Sequence, residues 1–137
     1  MPNASSEIIA NPDRLASLLR LCLLDTPADP AFDRLTKLAT RIINAPISTV
    51  TLVDDHRQYL KSQVGVGDPW ATLRSMPLEY SYCQHVVASQ SPLIVEDSRV
   101  HPLLFDNLST LEEGLVAYAG IPLVTSDGDA LGSFCVI

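Results

Sequence analysis

The stretch from Ala117 to Ile137 restricts the fold of this 137-residue chain more than any other stretch. Its sequence, AYAGIPLVTSDGDALGSFCVI, has two apolar runs on either side of Ser126-Asp127-Gly128-Asp129. An Asp-Gly pair between such runs is typical of a β-hairpin, because a type I′ turn needs positive φ angles. Neither run alternates cleanly between apolar and polar residues, as expected of strands buried on both faces. We therefore predict a hairpin at the middle of a sheet that is covered on each side.

Each strand of this predicted hairpin contains a glycine, Gly120 in the first run and Gly132 in the second. Glycine inside a strand often marks a bulge or a place where another group approaches the backbone closely. We expect a close approach at Gly120, and a bulge or a close approach at Gly132.

Composition and charge exclude several classes of protein. A chain of this length forms one domain, and a hydrophobic content of 47% with 18% charged residues is typical of soluble globular proteins. The net charge of −7 argues against a nucleic-acid partner, which requires Lys and Arg to neutralise phosphates. No apolar run approaches the ~18 residues of a membrane helix, so no membrane partner is expected. The N-terminus lacks a signal-peptide pattern and the three cysteines form no CxxC motif, which indicates a cytoplasmic location.

The N-terminal region predicts a lead-in followed by a helix. Residues 1–10 are expected to be flexible, and the helix then begins with Asn11 as N-cap and Pro12 as its first residue. An apolar stripe along this helix either covers the sheet of its own domain or pairs with a second copy of the chain in a dimer. The stripe consists of Leu15, Leu18, Leu19 and Cys22, followed by Leu23.

A second helix is predicted to begin at Asp29 and Pro30, which are again an N-cap residue and a first helical residue. Apolar residues recur at helical spacing along one side of it, which predicts a helix that faces the core. They are Phe32, Leu35, Ala39 and Ile42, with Leu38 and Ile43 at the margins.

Three further strands are predicted before the hairpin. Residues 47–53 are rich in β-branched side chains, which favour strands. Residues 58–64 alternate in polarity, which is typical of a half-exposed strand near a sheet edge. One face of that strand would consist of Leu60, Ser62 and Val64. Residues 92–96 form a short strand, and the long connection at 97–110 is expected to cover a site, as long ordered loops often do.

Ser81 and Gln84 form a capping box, which predicts a short helix with Cys83 in its first turn. A helix N-terminus favours the thiolate form of a cysteine. Cys83 is therefore either a reactive thiol or a small buried hydrophobe, and His85 is either a packed histidine or a metal ligand.

No sequence motif for catalysis is present. Asp54 and Asp55 are neighbours in a turn and are expected to splay apart, and Glu112 and Glu113 do the same. There is no nucleophile elbow, HExxH motif or run of metal-binding carboxylates. The residues alone thus indicate a soluble α+β domain with a covered antiparallel sheet.

Four segments, in their order and spacing, resemble the GAF domain family. They are VTLVDDHRQYLKSQVG at 50–65, SYCQHVV at 81–87, PLIVEDSRVHPLLFDN at 92–107 and AYAGIPLVTSDGDALGSFCVI at 117–137. The resemblance is strongest to bacterial GAF domains that precede a histidine kinase, a diguanylate cyclase or a serine phosphatase.

This resemblance implies an α+β fold of the GAF/PAS type with a central antiparallel sheet of about five to six strands. N-terminal helices would lie on one face of the sheet, and loops and short helices at 65–114 would cover a pocket on the other. Residues 11–137 would form this single domain, cut short before its C-terminal helix.

The resemblance also implies a small-molecule-sensing and dimerising regulatory domain of a signal-transduction protein, such as a two-component system, with no catalysis of its own. The expected partners are an unknown small molecule, a second copy of the chain in a homodimer and a C-terminal output domain. Two alternatives remain open: a connector that dimerises without a ligand, and a thiol enzyme similar to free methionine sulfoxide reductase.

Departures from the patterns of GAF subfamilies indicate that no cofactor is bound. The N-K-x-F-D-E set of cyclic-nucleotide-binding members is absent. Bilin-binding members have Cys followed directly by His, whereas Gln84 separates Cys83 from His85. The reductase branch has two closely spaced cysteines in its pocket cover, which this chain lacks.

The pocket candidates combine aromatic walls with a few polar groups, as small-molecule sites do. They are Trp70, Tyr82, Cys83, His101, Phe105 and Tyr118. No catalytic residue and no metal ligand is predicted.

Overall fold

A six-stranded antiparallel sheet organises the protein in a computed structural model that describes residues 3–137. The strands are β1 (Ser48–Val53), β2 (Arg57–Val64), β3 (Ser75–Pro77), β4 (Leu93–Val95), β5 (Tyr118–Val124) and β6 (Ala130–Val136). Their spatial order is β3-β2-β1-β6-β5-β4, which puts the β5–β6 hairpin and β1 at the centre. The predicted α+β class and central antiparallel sheet are confirmed, with β3 as a strand that the sequence did not reveal.

Six helices accompany the sheet within residues 3–137. They are α1 (Ser6–Ile9), α2 (Pro12–Arg20), α3 (Pro30–Ile43), α4 (Trp70–Leu73), α5 (Cys83–Ser89) and α6 (Leu108–Leu111), with 3-10 turns at Leu78–Tyr80 and Ser98–Val100. None of these helices has the length and apolar character needed to pass through a lipid bilayer.

The central hairpin forms as predicted, but its turn differs from the expected type. Gly128 has a φ of +91°, and Asp127 is not among the residues with positive φ, so this is not a type I′ turn. The Gly128 N–H donates to the Thr125 carbonyl at 2.9 Å. The two strands are therefore joined by a longer loop in which Gly128 has a positive φ angle.

Both glycines inside the hairpin strands allow a close contact. A Cβ atom at Gly132 would lie 1.8 Å from the Thr51 carbonyl oxygen of β1, which no side chain can tolerate. A Cβ atom at Gly120 would lie 2.3 Å from the hydroxyl oxygen of Tyr118, because that side chain folds back over its own strand. The close approaches predicted from these glycines are confirmed.

The helix caps predicted from the sequence are also present. The Asn11 side chain accepts hydrogen bonds from the N–H groups of Asp13 and Arg14, and Asp29 accepts one from the N–H of Ala31. These bonds satisfy amides at the start of each helix that have no partner within it.

Part of the expected lead-in is structured. Residues 6–9 form α1, and Ile9 is buried against the cluster that contains Val86 and Val87 of α5. Burial of Ile9 holds this turn in place, whereas the adjacent Ile8 is exposed. Met1 and Pro2 lie outside the described residues.

Helix α2 faces the sheet with a different side from the one predicted. Its buried residues are Arg14, Ser17 and Leu18, and Leu18 packs with Leu52 of β1 and Tyr59 of β2. Among the proposed dimer-helix residues, Leu18 therefore belongs to the core of its own domain. Leu15 is half-buried, whereas Leu19 and Cys22 are exposed.

The prediction that α3 faces the core with its apolar stripe is wrong. Thr36 is its fully buried residue and hydrogen bonds to Ser62 of β2 at 2.9 Å. Leu35 is 46% exposed and Ile42 is 73% exposed. The apolar residues extend so far around this helix that a narrow polar contact with the sheet leaves most of them in solvent.

Strand β2 also departs from the predicted alternation. Val50 of β1 pairs with Ser62 and Thr51 pairs with Leu60, so Lys61 is an extra residue in a β-bulge. The bulge puts Lys61 and Ser62 on the helix-covered face together with Tyr59, while Leu60 faces the other side. The strand lies next to the edge strand as predicted, but residues 58–62 are buried rather than half-exposed.

The contact at Gly132 predicts a strong effect of one methyl group. Gly132→Ala should lower the free energy of unfolding by about 3 kcal/mol or more, because β1 cannot move away without opening the sheet. Chemical denaturation measures this value. Gly67→Ala is the control, since its Cβ would meet nothing within 4 Å; it should change the value by less than about 0.5 kcal/mol. Equal midpoints for the two variants would contradict the close contact.

Candidate functional site

A cavity of about 300 Å³ lies between the sheet and the segment that follows β2. This volume is at the lower end of the range for small-molecule sites, roughly 300–1,000 Å³. Strands contribute Thr49, Gln58, Leu60, Tyr118 and Cys135 to its wall, and the covering segment contributes Val66, Trp70, Met76, Tyr80, Tyr82, Cys83, Ser109, Glu113 and Leu115. The sheet and the predicted pocket cover thus enclose a space of the size of a small organic molecule.

Four of the six pocket candidates line this cavity, and two do not. Trp70, Tyr82, Cys83 and Tyr118 are among the lining residues. His101 and Phe105 are not, because the connection that carries them points Leu104 inward and leaves Phe105 52% exposed. The imidazole Nδ1 of His101 accepts a hydrogen bond from the N–H of Leu103.

The rim of the cavity combines aromatic rings with a carboxylate. The rings of Trp70 and Tyr80 are 4.8 Å apart between centroids, and the indole N–H donates to Glu113 at 3.2 Å. The Tyr80 hydroxyl donates to the carboxylate of Glu112 at 3.1 Å. These contacts join α4 to the chain around α6 across the cavity entrance.

The floor of the cavity is polar and is organised by Tyr118. Its hydroxyl lies 3.2 Å from the Cys83 Sγ and 3.1 Å from the Ser133 Oγ. The fold of this side chain over Gly120 makes both contacts. On the neighbouring strand, the Thr49 hydroxyl lies 3.0 Å from the Cys135 Sγ.

Cys83 and Cys135 have opposite pKa shifts although both are buried. A hydrogen bond from Cys135, supported by hydroxyls around it, lowers the pKa of the Cys83 thiol to about 7. The same bond and burial raise the pKa of Cys135 well above its ordinary value. Burial and the nearby sulfurs raise the pKa of Tyr118, so its hydroxyl stays protonated and can donate.

Local structure places Cys83 at this floor. The Ser81 hydroxyl accepts a hydrogen bond from the Gln84 N–H at 3.0 Å, as the capping box predicts, although the helix itself begins at Cys83. The buried Gln84 side chain donates to the carbonyls of Leu78 and Ser81 and accepts from the Ala4 N–H. Helix α5 is thereby attached to both flanking segments.

Within residues 3–137, the lining of the cavity contains a negatively charged side chain and no positively charged one. Among the residues that the structure describes, the lining contains no Lys, Arg or His, and Glu113 is its charged residue. An anionic ligand would find no cation there to replace its lost hydration, which is costly. The cavity is therefore suited to uncharged or cationic molecules.

Several lining residues were not found by sequence reasoning. Gln58 and Met76 form part of the wall, with the Gln58 amide donating to the Met76 Sδ at 3.5 Å, and Glu113 stands at the rim. Gln58 faces the cavity together with Leu60 two residues later, but it is polar and was not among the aromatic and thiol candidates. In the sequence, Glu113 is only one of two adjacent carboxylates that are expected to splay apart, so nothing there predicts its place at the rim.

The turn after β1 brings together groups that were expected to splay apart. Ligand atoms of Asp54, Asp55 and His56 lie within 4.8 Å of one another. However, the Asp54 carboxylate accepts from the N–H groups of His56 and Arg57 and from the Arg57 guanidinium. This arrangement caps the turn, and its exposed members have no further feature of a metal site.

A comparison with protein families decides the identity of the domain. Residues 27–137 match the GAF domain. The chain belongs to the GAF domain family. A cyclic di-GMP phosphodiesterase of Pseudomonas aeruginosa is 31% identical over 125 residues, which are 90% of this chain. The chain spans only 20% of the length of that relative.

Solved structures agree with this GAF fold. The GAF domain from a Coxiella burnetii phosphoenolpyruvate-protein phosphotransferase has a TM-score of 0.63 at 17% identity and covers 93% of this chain and 79% of its own. A free methionine-R-sulfoxide reductase from Neisseria meningitidis, in complex with its substrate, has a TM-score of 0.60 at 16% identity and covers 95% and 70%. At these identities the likeness shows the fold alone.

His85 of this GAF domain predicts a pH-dependent stability. Its side chain is buried, and its Nε2 is a buried polar atom without a hydrogen-bond partner among the described residues. Burial lowers the pKa of His85 below 6.5, with an added effect of His101 that Asp106 opposes. Because the unfolded chain then takes up the proton first, stability should fall as the pH drops below about 6.5.

Urea unfolding at pH 7.5 and pH 5.5 tests this expectation, since Asp and Glu stay largely ionised in that window. His85→Leu should remove part of the loss seen in the wild type. His56→Gln, at an exposed imidazole, is the control and should retain the full loss. A His85→Leu variant with the same pH dependence as the wild type would refute the role of this histidine.

Proposed function

We propose that this GAF domain is a regulatory module of a cytoplasmic signal-transduction protein, and that a small molecule bound in the cavity is its signal. The observation that carries the proposal is the cavity of about 300 Å³ with aromatic walls and a polar floor. Binding would act through a difference in affinity between two arrangements of the domain.

Two observations support a regulatory role without catalysis. The relative from Pseudomonas aeruginosa is about five times as long as this chain and is a cyclic di-GMP phosphodiesterase. A domain of that relative size is suited to controlling an output module in the same protein. Within residues 65–114, Cys83 is the sole cysteine, so the paired cysteines of the reductase branch are missing from the cover.

The chemistry of the cavity narrows the class of ligand. Trp70 and Tyr80 present aromatic rings at the rim, and Glu113 adds a carboxylate beside them. Rings together with a carboxylate favour a cation, and the hydroxyls of the floor can bind an amine or hydroxyl group. We infer a small uncharged or cationic organic ligand.

Trp70 is the single tryptophan of the chain, so its fluorescence reports directly on the rim. Titration with 2-phenylethylamine, 2-phenylethanol and 3-phenylpropionate compares three probes of similar shape and different charge. We expect the amine and the alcohol to change the emission at lower concentration than the acid. Native mass spectrometry of the purified domain, beside a denatured sample, would reveal a molecule retained from the cell.

Glu113→Gln should weaken binding of the amine about two- to five-fold without affecting the alcohol, because one partly exposed charge interaction is lost. Glu96→Gln, at an exposed carboxylate outside the cavity, is the matched control. Tighter binding of the acid than of the amine would contradict the inferred ligand class. No response to any probe, with no retained molecule, would favour a connector that dimerises without a ligand.

We further propose that the domain forms a homodimer through the exposed apolar side of α3. Leu35, Leu38 and Ile42 have the spacing of one helix face and are 46%, 52% and 73% exposed. Leu19 of α2 adds a further exposed apolar side chain, at 67%. An apolar helix face that its own domain does not cover is a frequent feature of protein interfaces.

Leu38→Glu should convert a dimer into a monomer, because it puts a charge in the centre of the proposed interface. Leu111→Glu is the control, since that leucine is 63% exposed on α6; it should leave the mass unchanged. Sedimentation equilibrium gives both masses. A Leu38→Glu variant with the wild-type mass would show that α3 is not the interface.

A further inference from the structure

We propose that Cys83 and Cys135 form a peroxide-reactive site in the floor of the cavity. Cys83 would attack a small hydroperoxide, and Cys135 would then close a disulfide with it. This site is independent of the ligand and of the dimer proposed above, and nothing in those proposals requires it.

The geometry brings the two cysteines together from different parts of the chain. Cys83 comes from the first turn of α5 and Cys135 from β6, and both line the cavity. Both belong to one buried cluster. The Tyr118 hydroxyl that contacts the Cys83 Sγ at 3.2 Å lies over Gly120, and Gly120 is the residue that pairs with Cys135 on the neighbouring strand. Cys22 is exposed and is not a lining residue.

Hydroxyl groups hold both sulfurs in place. Tyr118 contacts the Cys83 Sγ at 3.2 Å, and Ser133 supports the Tyr118 hydroxyl at 3.1 Å. Thr49 contacts the Cys135 Sγ at 3.0 Å. A hydroperoxide that enters the cavity therefore meets a sulfur beside a hydroxyl that can donate to the departing oxygen.

The surroundings assign a different role to each cysteine. Hydrogen bonds to Cys83 favour its thiolate, which is the nucleophilic form of the side chain. The interaction with Cys83 and burial raise the pKa of Cys135, so this thiol keeps its proton until the first step is over. Cys83 is thus the attacking thiol and Cys135 the resolving thiol.

The reaction balances without a further reagent. The Cys83 thiolate attacks one peroxide oxygen, the O–O bond breaks, and the departing hydroxide takes a proton to become water, which leaves a sulfenic acid. The Cys135 sulfur then attacks the Cys83 sulfur, the S–O bond breaks, and the released hydroxide takes the Cys135 proton. The two thiols lose two electrons in total, and hydrogen peroxide is reduced to two molecules of water.

The wild-type chain provides an internal comparison for the test, because Cys22 is an exposed reference thiol. The folded protein is treated with hydrogen peroxide at pH 7, quenched, unfolded and labelled, and each cysteine is followed by peptide mass spectrometry. We expect Cys83 to be oxidised at least ten times faster than Cys22, with a peptide pair linked through Cys83 and Cys135. Oxidation of Cys22 while Cys83 and Cys135 stay reduced would overturn the proposal.

Single-cysteine variants then separate the two roles. In a Cys22→Ser background, Cys135→Ser should leave a Cys83 sulfenic acid that dimedone traps, whereas Cys83→Ser should slow oxidation of Cys135 at least ten-fold. Trapping of a sulfenic acid mainly on Cys135 would refute the assignment. If a variant does not fold, Tyr118→Phe keeps both cysteines, and its oxidation rate should rise only at higher pH than in the wild type. An unchanged pH profile would contradict the contact with Tyr118.

Discussion

Burial of the central strand β6 on both faces is the constraint on which the rest of the structure depends. One face meets α2, where Leu131 packs with Leu18, and the other meets α5 and the cavity floor, where Cys135 lies beside Cys83. Neither face can be left to water, so both covers must form with the sheet. The close approach of Thr51 to Gly132 shows how tightly the neighbouring strand β1 is held against it.

Covering the sheet creates buried polar groups, and the fold satisfies them with side chains from distant segments. The guanidinium of Arg14, on α2, donates to the carbonyls of Ile9 and Val53 at 2.5 and 2.7 Å, although its side chain is only 4% exposed. It thereby joins the N-terminal helices to the end of β1. A buried guanidinium is tolerated when backbone carbonyls accept hydrogen bonds from its N–H groups. Removal of the Arg14 side chain would leave those buried carbonyls without a donor.

Local signals in the sequence predicted most helices and strands correctly. The differences between the predicted and the observed structure come from contacts between elements that are distant in the sequence. Asn11 and Asp29 fix helix starts through bonds within a few residues, so a sequence pattern reveals them. The orientation of α3 depends on Thr36 meeting Ser62, and the orientation of Ser62 depends on a bulge in β2. Trp70, Tyr82, Cys83 and Tyr118 of the cavity were predicted, whereas the place of Cys135 in its floor depends on the pairing of β6 with β5 across the sheet.

Strand β2 has contacts with both covers of the sheet. Gln58 and Leu60 line the cavity, whereas on the opposite face Ser62 bonds to α3 and the Lys61 ammonium donates to Thr26 at 2.6 Å. A strand is stiff along its length, so a change in the position of Gln58 also moves the anchors of the helices. A ligand with different contacts to Gln58 or Leu60 in two arrangements would therefore change the free-energy difference between two positions of α3. If α3 forms the proposed dimer surface, such a change would reach a second copy of the chain through its exposed apolar side.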